Sequence, residues 1–416
     1  MLSGMQDREL YRKILDIKDP WEVVDVLLDR PGREVRVKVE WSPTSGLLCP
    51  ECGEDCPQYD RRERSWRHLD TCQYRTILTA DIPRAKCEKH GVQQVRVPWA
   101  EPGSRFTAMF ERLVIDWLHE ANIRAVAEQI DLSWDEVDGI MQRAVQRGME
   151  RRAKQEPRRL GIDETSFQKR HEYVTVINDM ERNVVLDVLD DRTQQTLENG
   201  LNSLGHAVLK KVELVALDMW QPYIAALQNL LPNALEKIVF DRFNVAKHIG
   251  DAVNKVRSLE HRVFSAQGES PLTRSKYLWL RRSEALDSEE EERLDHLCRC
   301  ARKTARAWSL KELATSLWCY ASRGWARRAW LRWCSKAMRS RLEPMKKVAR
   351  MIRKHLEGIV NAAVTRASNS RAEGMNSRIQ WLKKSACGFR NRRRFRNAIL
   401  FHLGGLNLHP MQEIQA

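Results

Sequence analysis

Charged and apolar residues alternate from Arg33 to Trp41, the period of a half-buried strand. Tyr74–Ala80 reads as a second strand. Between 104 and 150 the period lengthens to that of helices. Phe110, Leu113, Val114 and Trp117 form one apolar stripe, and Ile123–Ile130 a short helix closed by a turn at Asp131-Leu132. Ser133 with Glu136 makes a capping box that opens a further helix, with Val137, Ile140, Met141 and Ala144 facing inward. Two short helices about such a turn make a helix-turn-helix, whose second helix can enter the major groove of DNA. A packing or dimerisation bundle shows the same pattern. The second helix begins with Asp135, Glu136 and Asp138 and only later offers Gln142, Arg143, Gln146 and Arg147 as DNA contacts.

The basic stretch Arg151–Arg159, broken by Pro157, marks a domain boundary. Beyond it the pattern predicts a strand ending at Asp163, then strands Tyr173–Asp179 and Val184–Leu189 separated by a turn. A helix follows from about Gln194 to Gly205, then a strand ending at Asp218, a helix at Tyr223–Leu230 and a strand at Lys237–Phe240. Three meandering strands followed by alternating helix and strand is the order of a ribonuclease-H-like fold. Its first and fourth strands are neighbours, so Asp163 and Asp218 converge. From Asn244 to about Leu356 the chain is helical and interrupts that fold. Arg366, Asn369, Ser370, Glu373, Asn376, Ser377 and Gln380 then fall along one polar helical face, with Met375, Ile379 and Leu382 on another. A solvated face has the same pattern. Behind two strand-end aspartates, Glu373 becomes the third member of a carboxylate set able to hold Mg2+ or Mn2+ against a phosphodiester. Glu164, Asp190, Asp191 and Asp241 are the rival acids, Asp241 foremost because it too ends a strand.

Composition changes this picture in two ways. Lys and Arg number 71 against 56 Asp and Glu, a formal charge of +15 over 416 residues. Such a balance suits a polyanionic partner, since phosphate neutralisation releases counterions. No apolar run approaches the ~18–20 residues of a membrane span, and the N-terminus, with Asp7, Arg8 and Glu9, is no signal peptide. An intracellular chain needs a reason other than disulfides for its ten cysteines. Cys49-Pro50-Glu51-Cys52-Gly53 and Cys87-Glu88-Lys89-His90-Gly91 make C-x2-C…C-x2-H, a soft tetrahedral set for one structural Zn2+ in a zinc ribbon. Cys56 and Cys72 are rivals for a ligand position. The remaining Cys298, Cys300, Cys319, Cys334 and Cys387 have no partnered spacing.

Trp308, Trp318, Trp325, Trp330 and Trp333 lie among arginines, in a pattern that suits core packing and also stacking on unpaired bases. The segment from Lys383 and Lys384 through Arg390, Arg392, Arg393 and Arg394 is the densest basic cluster. With Arg371 it is the candidate phosphate grip.

In order along the chain, these pieces resemble the ISL-three group of bacterial insertion-sequence transposases, within the wider DDE transposases. The resemblance is carried by the Cys49–His90 ribbon, Ile123–Ala127, Gly161-Ile162-Asp163-Glu164, Ala216-Leu217-Asp218-Met219, Phe240–Val245, Ser368–Asn376 and Cys387–Arg390. It implies transposition by a DDE triad, here Asp163, Asp218 and Glu373, with two divalent ions. It further implies double-stranded element ends and target DNA as partners, a homodimer to bring two ends together, and a nucleoid-associated cytoplasmic location. Relatives tend to carry histidine where this chain has Asn244, which leaves any auxiliary role of that position open.

The domains expected are a strand segment and zinc ribbon at 1–100 and a helix-turn-helix at 104–150. A ribonuclease-H-like core follows at 158–248, with a helical insertion at 249–355 and the rest of the core at 356–416. Two further functions fit the same residues: a DNA-binding regulator with a silent catalytic fold, and a metal-dependent nuclease without strand transfer.

Overall fold

A computed structural model of the protein describes residues 7–42, 46–168, 172–366 and 370–410, with backbone alone for 370–373. The chain divides into two compact units, Met1–Arg152 with Leu406–Ala416, and Ala153–Gly405.

The first unit opens with α1 (Asp7–Ile14), then β1 (Trp21–Asp29), β2 (Glu34–Trp41), the short hairpin β3 (Leu47–Leu48) and β4 (Asp55–Cys56), β5 (Gln58–Thr71), β6 (Tyr74–Cys87) and β7 (Gly91–Gln94). The main sheet runs β1-β2-β6-β5, with β7 on the far end of β6. The alternation read at 33–41 is real: Val35, Val37 and Val39 are buried while the charges between them face out. That strand pairs with β6 in parallel, so the ribbon is built onto the end of a larger sheet. Its core is a tryptophan stack, Trp21 and Trp66 each edge-on to Trp99 at 4.9 and 5.5 Å.

Three helices follow, α2 (Ala108–Glu120), α3 (Ile123–Ile130) and α4 (Trp134–Glu150). Asp131 makes the turn in the left-handed region at φ 52°, and the Ser133–Glu136 capping box is formed. The inward face of α4 is as expected, but that of α2 is not. Phe110, Val114, Ile115 and Leu118 are buried together with Glu111, whereas Leu113 and Trp117 look outward. The buried face carries the Glu111 carboxylate, which pairs with Arg143 at 2.5 Å and Arg147 at 2.9 Å.

In the second unit β8 (Arg159–Gln168), β9 (Glu172–Asp179) and β10 (Val184–Leu189) form the meander. Then come α5 (Gln194–Leu204), α6 (His206–Lys211), β11 (Leu214–Leu217), α7 (Gln221–Leu230), α8 (Ala234–Lys237) and β12 (Ile238–Phe240). The sheet order is β10-β9-β8-β11-β12, with β11 parallel to both β8 and β12. This is the mixed sheet expected of a ribonuclease-H-like domain. One detail differs. Asp163 does not end its strand, because antiparallel pairing with β9 carries β8 on to Gln168; only the β11 side of the pairing stops at Ile162.

The helical region comprises α9 (Arg242–Ala266), α10 (Lys276–Leu280), α11 (Ser288–Cys300), α12 (Arg302–Ser316), α13 (Arg323–Arg339) and α14 (Glu343–Lys354). It is followed by α15 (Leu356–Thr365), α16 (Ser370–Ser385) and α17 (Arg392–Leu403). The boundary expected at 249 falls inside α9, and the sheet shares one continuous apolar core with the helices from α9 to α15. Trp318, Trp330 and Trp333 are buried in it, so that cluster is mainly packing; Trp325 is exposed under the Arg328 guanidinium. Asn361 of α15 donates to the carbonyls of Leu235 and Ile238 and anchors that helix to the edge strand β12. Gln380 and Lys383 of α16 donate to Thr165 Oγ1 and to the Ser166 carbonyl, both at 2.8 Å, and fix that helix along β8. Arg366 is the left-handed cap of α15 and lies off the polar face assigned to it.

Candidate active site and metal centre

The first cluster is sulfur-rich. Cys49 and Cys52 flank the turn between β3 and β4, where Gly53 takes φ 73°; Cys87 ends β6, and His90 precedes Gly91 at φ 69°. Both glycines occupy the left-handed region that lets so tight a knuckle close. Cys52 and Cys87 sulfurs are 3.7 Å apart, and His90 Nδ1 lies 3.6 Å from each of Cys49 and Cys87. With Zn–S of about 2.3 Å and Zn–N of about 2.05 Å, a tetrahedron has edges of about 3.8 Å for S···S and about 3.6 Å for S···N. All four ligand atoms lie within 4.8 Å of one another. The donor set fits structural zinc in kind and in size. Cys56 points instead at the Glu54 carbonyl, and Cys72 is exposed in the β5–β6 turn; neither belongs to the set.

The second cluster is acidic. Leu217 of β11 pairs with Ile162 of β8, so Asp218 and Asp163 are the next residues on adjacent parallel strands. Burial, and then the neighbouring Asp218, push the Asp163 carboxyl up to about 7, although the Glu164 amide donates to it at 2.7 Å. Burial raises Asp218 as well, helped by Asp241 and Glu164 and opposed by Lys247 and His248. Two neighbouring carboxylates that both resist ionisation form a site that a divalent cation would relieve. Asp241 serves as the N-cap of α9 through the Phe243 amide. Glu164 holds Arg192 at 3.2 Å, and that guanidinium lies between the rings of Tyr173 and Trp220. Glu373 is in the first turn of α16, one turn before Asn376; its side chain, like that of Arg371, lies outside the described residues, as do Ser368 and Asn369 entirely.

Against known families, a model described as "Transposase" matches residues 160–399, more than half of the chain. The chain belongs to transposase family ISL3. Within that family, the helix-turn-helix domain matches residues 95–145, and the zinc-finger of transposase IS204/IS1001/IS1096/IS1165 matches 47–90. The transposase for insertion sequence element IS1001 of Bordetella parapertussis is 27% identical over 93% of this chain and 97% of its own length. That for IS1557 of Mycobacterium tuberculosis is 26% identical over 93% of both chains. As a member of an insertion-sequence transposase family with a helix-turn-helix, the chain is a DNA-binding, DNA-processing protein. No described helix is long and apolar enough to cross a membrane.

The basic residues proposed for DNA divide in this ISL3 chain. Arg147 is only 6% exposed; it pairs with Glu101 at 2.6 Å and Glu111 at 2.9 Å and donates to the Leu408 carbonyl. Its assignment as a groove contact is corrected, since a guanidinium so enclosed is part of the framework. Arg143 also binds Glu111, and Gln142 binds Asp138; Gln146 is exposed beside Glu150. In the tail, Lys383 and Arg392 are held by Ser166, Asp190 and Glu172. Lys384, Arg390 and Arg393 are exposed, and Arg394 is half-buried.

Three functional features escaped the sequence reading. Glu111 gives no signal, being one acid on an amphipathic helix. The stretch from Leu406 clusters with the first unit rather than with the catalytic core, Arg151 binding the His409 carbonyl at 2.7 Å. Asn244 and Asn376 each donate to one of the two aspartates; the family's histidine marked the first position and the polar face the second, but neither showed the contact.

Proposed function

We propose that this protein binds the double-stranded ends of its own insertion sequence and cuts them, working as a dimer that brings two ends together. It then joins the freed 3′-hydroxyls to target DNA. The parallel pairing of β8 with β11, which sets Asp163 beside Asp218, carries this reading. Glu373, one helical turn before an Asn376 that touches Asp163, supplies the third carboxylate. These three residues would hold Mg2+ or Mn2+; bound there, such ions lower the barrier by stabilising the attacking and leaving oxygens of an in-line displacement.

In the first step water attacks the phosphorus at the element end and the 3′-oxygen leaves as a hydroxyl. In the second, that hydroxyl attacks a target phosphodiester and releases a target 3′-hydroxyl. One phosphodiester is broken and one made, so strand transfer needs no external energy source. The chain's own contribution is to orient the carboxylates from two strands and a helix, and to neutralise DNA phosphates with exposed Lys384, Arg390 and Arg393. Gln142 and Gln146 are the remaining candidates for base contacts from α4, and Arg394 and Arg371 for phosphate contacts.

The test is a plasmid excision and integration assay with the element's flanking ends, comparing wild type with Asp218→Ala and Glu373→Ala. Excised and joined products from wild type alone support the proposal. Cleavage without joined products would make the protein a nuclease, specific end binding without cleavage a regulator, and full activity of Glu373→Ala would remove that residue from the site.

A further inference from the structure

The two aspartates at the centre of the site are held in an unusual manner. Asp163 accepts from the Glu164 amide on Oδ1 and from the Asn376 side chain on Oδ2. Asp218 accepts on Oδ1 from the Asn244 side chain, in the first turn of α9. Among the described residues no lysine or arginine forms an ion pair with either carboxylate. Of the nearby cations, Arg192 pairs with Glu164 and Lys383 with the Ser166 carbonyl, while Lys247 and His248 act on Asp218 only through space. The donors reach the acids from two different helices, 213 and 26 residues away in sequence.

We infer that Asn244 and Asn376 are positioning residues that fix the planes of the Asp218 and Asp163 carboxylates with neutral donors, leaving the full negative charge for divalent cations. An arginine or lysine would satisfy the same oxygens, but its charge would cancel the carboxylate's and repel an incoming ion. An amide orients without competing for the metal's place, which is how outer-shell partners tune a metal site. Asn376 is not needed to dock α16, because Gln380 and Lys383 tie the same helix to β8 farther along. Its amide is free to serve the carboxylate alone. Asn244 thus supplies a hydrogen-bond donor at the position where histidine was the alternative, and an imidazole N–H can fill the same role. The inference rests on Asp163 and Asp218 being the metal ligands.

The experiment is a Mn2+ titration of the full-length protein without DNA, reading free Mn2+ by electron paramagnetic resonance, with thermal unfolding as the check on folding. Wild type binds Mn2+ and Asp163→Ala does not. Asn376→Ala and Asn244→Ala bind about 10–100-fold more weakly, in the range typical of lost outer-shell partners. Asn244→His, which retains a donor, returns near to the wild-type affinity, and Asn376→Lys binds none. Gln380→Ala loosens the same helix but leaves Mn2+ affinity unchanged. If the two alanine variants bind like wild type while Asp163→Ala is silent, the positioning role is wrong and the ligand assignment stands. If Gln380→Ala weakens Mn2+ as much as Asn376→Ala, the amide is only docking the helix. Binding indifferent to Asp163→Ala would overturn the ligand assignment itself, and the inference with it.

Discussion

Replacing Asp163 by asparagine should stabilise the metal-free protein at neutral and alkaline pH, and the size of the gain follows from the site. In the folded protein the carboxyl is raised from an ordinary 3.8 to about 7, chiefly by burial and then by Asp218. Between those two values the folded state holds a proton that the unfolded chain has released, so stability falls as pH rises through this window and levels off above about 7. The full displacement corresponds to at most about 4 kcal/mol, and since the residue is half-buried rather than sealed, about 2–4 kcal/mol is the working range. The introduced amide would carry no such penalty, and the Asn376 side chain can turn to present its oxygen to it. For a domain of this size the difference is worth about 5–10 °C in Tm. Differential scanning calorimetry from pH 4 to 9, in buffers free of divalent ions other than bound zinc, measures it. The variant should exceed wild type at pH 8, and the two curves should meet near pH 4. A variant no more stable than wild type at pH 8, or a gap that widens towards acid, would refute the strained-pair reasoning.

The remaining predictions concern the first unit and the tail. Cys52→Ala with His90→Ala should release one zinc per chain by metal analysis and destabilise the unit that contains the ribbon; unchanged zinc content would contradict the four-ligand geometry. Arg147→Ala leaves Glu111, 1% exposed, short of a buried charge partner and should lower stability by about 3–5 kcal/mol. Arg390→Ala should instead leave stability alone and reduce the salt slope of DNA binding by about one. Leu408→Ala, at a 4% exposed position in the C-terminal segment, should cost the first unit about 2–5 kcal/mol. Chemical denaturation of the full chain separates these effects, and an Arg147→Ala protein of wild-type stability but weak DNA affinity would restore that residue to the groove.

The sequence alone determined the parts whose chemistry is local. Two C-x2 pairs with glycine behind them declare a metal knuckle, because ligand spacing and turn geometry are properties of five consecutive residues. The strand and helix order from Asp163 to Phe240 was legible because periods of two and 3.6 residues mark each element as it passes. From that order the neighbourhood of Asp163 and Asp218 followed, since few topologies join three meandering strands to a parallel pair. The tertiary structure alone decided which charges are free. Arg143 and Arg147 look like DNA contacts until both are found paired with the buried Glu111. Leu408 and His409 look like a tail of the catalytic core until their carbonyls meet Arg147 and Arg151. Asn244 and Asn376 stand out in the sequence only as positions, and it takes two helices to bring their amides to the aspartates. Each is a choice between solvent and a partner distant in sequence. Hydrophobic periodicity is blind to it, because it counts what a residue would lose by leaving water and not what it gains from the neighbour it finds.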